Sequence, residues 1–158
     1  MRRFLKFILP HGIVDLVRNR RKLSNIGRRL CPAESLESRK KALSAHMDKV
    51  QYSGNPEHKR NPGDYGLTPP NVARPGKTLC DQVEIYSRSE ARTLLREGFE
   101  RGTFSFQERD GWPQNVWAVT EKGEPLEAQH EAQGVYHGYP MPEADPFREK
   151  VLDRWRPS

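Results

Sequence analysis

Residues 103–140 read TFSFQERDGWPQNVWAVTEKGEPLEAQHEAQGVYHGYP, and the fold turns on how this stretch divides. Thr103-Phe104-Ser105-Phe106-Gln107 alternates apolar and polar side chains, the pattern of a half-buried strand. Asp110-Gly111 supplies two residues that tolerate positive φ and signals a hairpin. Asn115 to Val119 predicts a second strand, Glu121-Lys122-Gly123 a turn, and Leu126 to His130 a third strand. Val135 to Tyr139 predicts a short fourth strand, which Pro140 and Pro142 end.

Helices flank this stretch. Ser87-Arg88-Ser89-Glu90 fits a capping box, Ala91, Leu94, Leu95 and Phe99 fall on one helical stripe, and Gly102 suits the C-terminal cap. Downstream, Asp145 caps and Pro146 opens a helix carrying Phe147, Val151, Leu152 and Trp155 on one face. The order of helix, three or four antiparallel strands and helix predicts an α+β domain over residues 79–158. Its helices are expected on one face of the meander.

Upstream the character changes. Residues 51–78 hold five prolines and four glycines, which predicts a loop without regular structure. Its mix of Tyr52, His58, Lys59, Arg60 and Tyr65 favours a docked loop over a free spacer. Residues 1–50 form a basic arm. After Pro10, Ile13, Leu16 and Val17 share a helical face, followed by Arg18, Arg20, Arg21 and Lys22. From Pro32 a second helix is plausible, with Leu36, Leu43, Met47 and Val50 on a narrow stripe suited to a solvated helix or linker.

The net charge of +6 is unevenly spread. Residues 1–50 carry 13 Lys/Arg against 4 Asp/Glu, whereas residues 51–158 carry 14 against 17. The C-terminal domain therefore has no strongly positive global field and would need a local cationic pocket to hold an anion. With a mean hydropathy of −0.91, one modest core is expected. Residues 1–9 contain a short apolar run broken by Lys6 and ended by Pro10, too short to span a bilayer. Cys31 and Cys80 make no disulfide framework, and neither CxxC nor HxxxH spacing appears, so a reduced cytoplasmic protein without a metal site is expected. The absence of GxGxxG, P-loop and GxSxG patterns argues against nucleotide-cofactor enzymes and serine hydrolases, and no cofactor is expected.

The densest polar and aromatic cluster is Val135-Tyr136-His137-Gly138-Tyr139-Pro140. In a strand, Tyr136 and Gly138 face one way, and His137 and Tyr139 the other. Glycine in a strand often marks close approach of a ligand or another backbone. Metal-free RNA cleavage needs a base for the 2′-hydroxyl, an acid for the 5′-oxygen and cations for the phosphorane. His137 suits one proton-transfer role, and His58, His130 or Glu127 the other. Lys59, Arg60 and Arg109 suit the phosphate, and Tyr136, Tyr139 and Trp117 suit base stacking. The competing reading makes His137 a structural strand residue and His58-Lys59-Arg60 plain loop surface.

Residues 52–155 resemble a group of small bacterial proteins through HKRNPGDYGLTPP (58–70), RPGKTLCD (74–81), GWPQNVWAVTEKGEPLEAQ (111–129) and YHGYPMP (136–142). The helix-then-meander order is similar to the compact ribonuclease toxins of the barnase-like, RelE-like and colicin types. That resemblance implies an RNA-cleaving toxin or effector that acts on RNA and is restrained by a protein antitoxin or inhibitor. Those toxins tend to be basic, and this domain departs from them. The segment FLKFILPHGIVDLVRNRRKL also looks like the leading stretch of some bacterial glycosyltransferases and sugar-associated methyltransferases. Two rival expectations stand beside the nuclease. One is a non-catalytic interaction module held at an anionic membrane surface by residues 1–22. The other is a small enzyme of unrelated chemistry, such as a glycan-modifying accessory.

Overall fold

The computed structural model describes residues 28–54, 63, 66–68 and 79–157. Within these the chain forms α1 (Ala33–Ser44), β1 (Gln51–Tyr52), α2 (Arg88–Arg101), β2 (Glu108–Arg109), β3 (Trp112–Pro113), β4 (Asn115–Val119), β5 (Pro125–Ala132), β6 (Val135–Pro140) and α3 (Phe147–Trp155). Short 3-10 turns lie at Met47–Lys49 and Cys80–Val83. The fold is α+β, as the sequence predicts.

The local signals act as expected. Ser87 accepts from the Glu90 backbone N–H, and Glu90 reaches back to the Ser87 N–H, completing the capping box that starts α2. Asp110 and Gly111 turn with φ of 55° and 79°, so the hairpin forms where Asp-Gly places it. Its arms are the two-residue β2 and β3, however. The expected strand over 103–107 is reduced to isolated bridges, Phe104 with Val116 and Ser105 with Leu30.

Two further expectations are corrected. The four-stranded sheet runs β1-β6-β5-β4, and β1 lies parallel to β6, with Gln51 opposite Val135 and Tyr52 opposite Tyr136. The sheet is therefore mixed, not a pure antiparallel meander. The helices also divide between its faces. Val116, Ala128 and Tyr136 point into a core with Ala91, Leu95 and Phe99 of α2. Trp117 and Val119 point into a second core with Met141 and with Phe147 and Val151 of α3. Strand alternation sends these two sets to opposite sides. All five residues of β4 are buried, as a strand covered on both faces requires.

Residues 28–54 belong to the body of the domain. Cys31, Leu43, Val50 and Tyr52 are buried in the first core, and Leu36, Met47 and Leu67 pack against it. α1 is therefore a docked helix rather than a solvated one. Arg39 of α1 donates to the carbonyls of Ser105 (3.2 Å) and Phe106 (2.8 Å) and pairs with Glu108. The Arg29 and Cys31 backbones bond the Phe106 N–H (2.7 Å) and the Phe104 carbonyl (2.8 Å). The sheet thus gains an outer ribbon from the end of the basic arm. Gly98 lets α2 approach β4 closely. A Cβ there would sit 2.5 Å from the Trp117 carbonyl oxygen, a separation no side chain tolerates.

Candidate functional site

The second face of the sheet is apolar only where α3 covers it. Register and alternation put Asn115 and Trp117 of β4, Glu127 and Gln129 of β5, and His137 and Tyr139 of β6 on this face. The polar members lie beyond α3. Arg28, Arg109, Gln114, Asn115, Glu127 and Tyr139 are among the residues lining an open cleft of about 530 Å³ there.

Glu127 forms the floor and is 1% exposed. A buried carboxylate is tolerable only when paired and hydrogen-bonded, and this one is. Arg28 Nη1 donates to Glu127 Oε2 at 2.9 Å, and Asn115 Nδ2 donates to Oε1 at 2.8 Å. Gln129 Nε2 donates to the Tyr139 hydroxyl oxygen at 2.8 Å. The Arg28 guanidinium also clasps Asp145 with two contacts, Nη1 to Oδ2 at 2.6 Å and Nη2 to Oδ1 at 3.1 Å. Asp145 Oδ1 accepts in turn from the Phe147 N–H at 3.0 Å. Asp145 therefore caps α3, as the sequence implies, and anchors Arg28 as well.

These contacts fix the charge states. Burial works against the Arg28 cation, but Asp145 and Glu127 outweigh it and hold the guanidinium charged well above its ordinary range. Burial likewise favours the neutral acid at Asp145, yet the hydrogen bonds from Arg28 and the Phe147 N–H leave its carboxyl below the usual aspartate value. Burial and the neighbouring Glu127 carboxylate push the Tyr139 phenol up, so it stays protonated at neutral pH.

His137 sits beside this cleft. It is paired in register with Gln129, and Glu127 with Tyr139, so Glu127 and His137 are diagonal neighbours. Such neighbours lie about 7–8 Å apart. The ladder shifts register between His130 and Ala132, at Glu131. Glu131 Oε1 lies 2.8 Å from His137 Nδ1. The two groups are close enough to pair when the ring is charged, but the geometry is not that of a hydrogen bond, and Nδ1 is buried without a hydrogen-bond partner among the described residues. The imidazole side chain keeps 22% of its accessible surface.

The other candidates separate clearly. Arg109 is exposed at the rim of the cleft, 3.9 Å from Asp110. Tyr136 and Trp117 are fully buried. Tyr136 donates to the Pro113 carbonyl at 2.7 Å, and Trp117 packs on Phe147 with ring centroids 4.8 Å apart. A ring with no open face cannot stack on a base, so both are corrected to core residues. Gly138 faces the first core, where the Tyr52 ring and the Glu127 carbonyl crowd its Cβ position. The close approach that a strand glycine signals comes from inside the chain. His58, Lys59 and Arg60 lie outside the described residues.

His130 is buried among core rings, and it also lines the cleft beside Arg109 and Gln129. Its Nε2 accepts from the Gly134 N–H at 3.1 Å, and its ring lies against Trp112 and Tyr136. Burial, then the charge of Arg109, lower its pKa below the ordinary 6.5. The unfolded chain therefore takes up this proton first. The stability tied to neutral His130 is complete above pH 6.5 and declines as pH falls below it. His130→Gln should flatten the stability profile between pH 6.5 and 5 in urea titrations. Parallel profiles for the two proteins would show that His130 does not titrate in this way.

Sequence reasoning misses Arg28, Asn115, Glu131 and the second role of Asp145. The one available signal was Glu127 itself, a charge sharing a strand face with Trp117 and Val119. Such a charge needs a cation from elsewhere in the chain. Among the described residues, no helix is long and apolar enough to cross a membrane. Comparison with protein-family models, with curated proteins and with solved structures finds no match for this chain.

Proposed function

We propose that the chain is a metal-independent RNA-cleaving domain of the toxin or effector type, acting at the sheet face that carries His137. The observation that carries this reading is the His137–Glu131 pair at 2.8 Å, standing one strand pairing from a cleft that contains two arginines. In the proposed reaction, the His137 imidazole takes the proton of a ribose 2′-hydroxyl. The 2′-oxygen attacks phosphorus, the bond to the 5′-oxygen breaks, and a 2′,3′-cyclic phosphate and a 5′-hydroxyl end result. Arg109 at the rim and Arg28 on the floor favour the charged phosphorane. Tyr139 contributes an amphipathic face for a base.

Glu127 has its carboxylate engaged by Arg28 and Asn115, which suits holding Arg28 in place better than accepting a proton. The sequence offers His58 as the acid that protonates the leaving oxygen, and Lys59 and Arg60 as cations for the phosphate; all three lie outside the described residues. The substrate would then be cellular RNA, the place of action the cytoplasm, and a protein inhibitor a natural partner.

The test is cleavage of tRNA, mRNA and rRNA by the purified full chain in EDTA. His137→Ala should lower the rate roughly 10²–10⁴-fold, the usual worth of a positioned acid–base group. Undiminished cleavage by His137→Ala would remove the imidazole from the reaction and the proposal with it.

A further inference from the structure

The cleft floor has a built geometry of which the cleavage reading uses only the charge of Arg28. Arg28 is held by three different kinds of contact at once. Asp145 accepts from two of its nitrogens side by side, at 2.6 and 3.1 Å. Glu127, itself oriented by Asn115, accepts from Nη1 at 2.9 Å. The guanidinium carbon lies over the Phe147 ring, 5.2 Å from its centroid. Parallel hydrogen bonds to one carboxylate together with stacking on an aromatic face suit a planar, forked cation and not a point-charge ammonium. The acceptors are preset by other contacts. Asp145 is fixed by the Phe147 N–H, and Glu127 by Asn115 and by its burial.

We infer that Glu127, Asp145 and Phe147 form a guanidinium-binding socket whose resident ligand is Arg28. With Arg28 withdrawn, the socket takes a guanidinium group from solution. Two consequences follow. The segment that begins at Arg28 is latched to the sheet by an exchangeable group. The charge of the cleft also depends on the latch: with Arg28 seated, its cation offsets one of the two carboxylates, and with it gone the floor is dianionic. This inference does not rest on RNA cleavage and survives the failure of that reading.

The experiment compares full-length native protein, Arg28→Gly and the double variant Arg28→Gly/Asp145→Asn in thermal melts. Millimolar methylguanidinium or methylammonium is added at matched ionic strength. The expected result is a saturable rise in Tm for Arg28→Gly with methylguanidinium only. The native chain, whose socket is filled, and the double variant, which lacks the paired acceptor, should not respond. Equal responses to the two cations, or a response in the native chain matching that of Arg28→Gly, would overturn the inference. If Arg28→Gly is unfolded in buffer, Arg28→Gln carries the same comparison. If both are unfolded, return of the near-UV circular dichroism signal with methylguanidinium but not methylammonium supports the socket, and no return refutes it.

Discussion

Glu127→Ala should destabilise the domain by about 3 kcal/mol, at the low end of what removing one partner of a buried ion pair costs. The substitution strips Arg28 of one of its two carboxylates and leaves the Asn115 amide facing an empty space. The loss stays at the low end because Asp145 still holds the guanidinium. Glu127→Gln should recover part of it, since the amide preserves the shape and an acceptor for Asn115 but not the charge. Urea unfolding measures this directly, as a lower midpoint with an unchanged slope. A loss under about 1 kcal/mol, the worth of an exposed pair, would show that the carboxylate is not the anchor described above.

Tyr136→Ala is expected to cost about 3–5 kcal/mol, the usual range for truncating a large buried ring. Tyr136 is fully buried, stands edge-on to Phe99 with centroids 5.7 Å apart and lies 5.1 Å from His130. Tyr136→Phe keeps the ring and loses only the hydrogen bond to the Pro113 carbonyl, at a cost of about 1–2 kcal/mol. The pair of variants separates the core role from the base-stacking role that the sequence suggests. A Tyr136→Phe protein that folds normally should cleave RNA at the native rate. A large loss of cleavage without loss of stability would return Tyr136 to the substrate site.

The sequence carried some features of this fold plainly and others not at all. The Ser87–Glu90 box, the Asp110-Gly111 turn and the strands at 115–119, 125–132 and 135–140 are local features, set by side chains a few positions apart. β1 is two residues long and pairs in parallel with a strand more than eighty residues away, and no local pattern encodes such a partner. The division of the helices between two faces was legible in NVWAV, where Val116 and Ala118 on one side and Trp117 and Val119 on the other are all apolar. A half-exposed strand would have shown a polar side. The docking of α1 was hidden because its stripe is thin, and burial is concentrated at Leu43 and at Cys31 and Val50 beside it.

The candidate site divides in the same way. Glu127, Gln129, His137 and Tyr139 on one face follow from alternation and the turn at Gln133-Gly134. Arg28 does not, because its carboxylates lie 99 and 117 positions away, and an arginine among many in a basic arm reads as solvated. Glu131 meets His137 at a register shift, and an irregularity of that kind leaves no period in the sequence.

The claim on which the functional account stands is that a 2′-hydroxyl is the nucleophile. Two oligonucleotides of one sequence, one all-ribose and one with 2′-deoxyribose throughout, should be incubated with the full chain in EDTA and resolved by size and end group. The account predicts that only the ribose strand is cut, leaving 2′,3′-cyclic phosphate ends. Equal cutting of both strands, or no cutting of either, would contradict it.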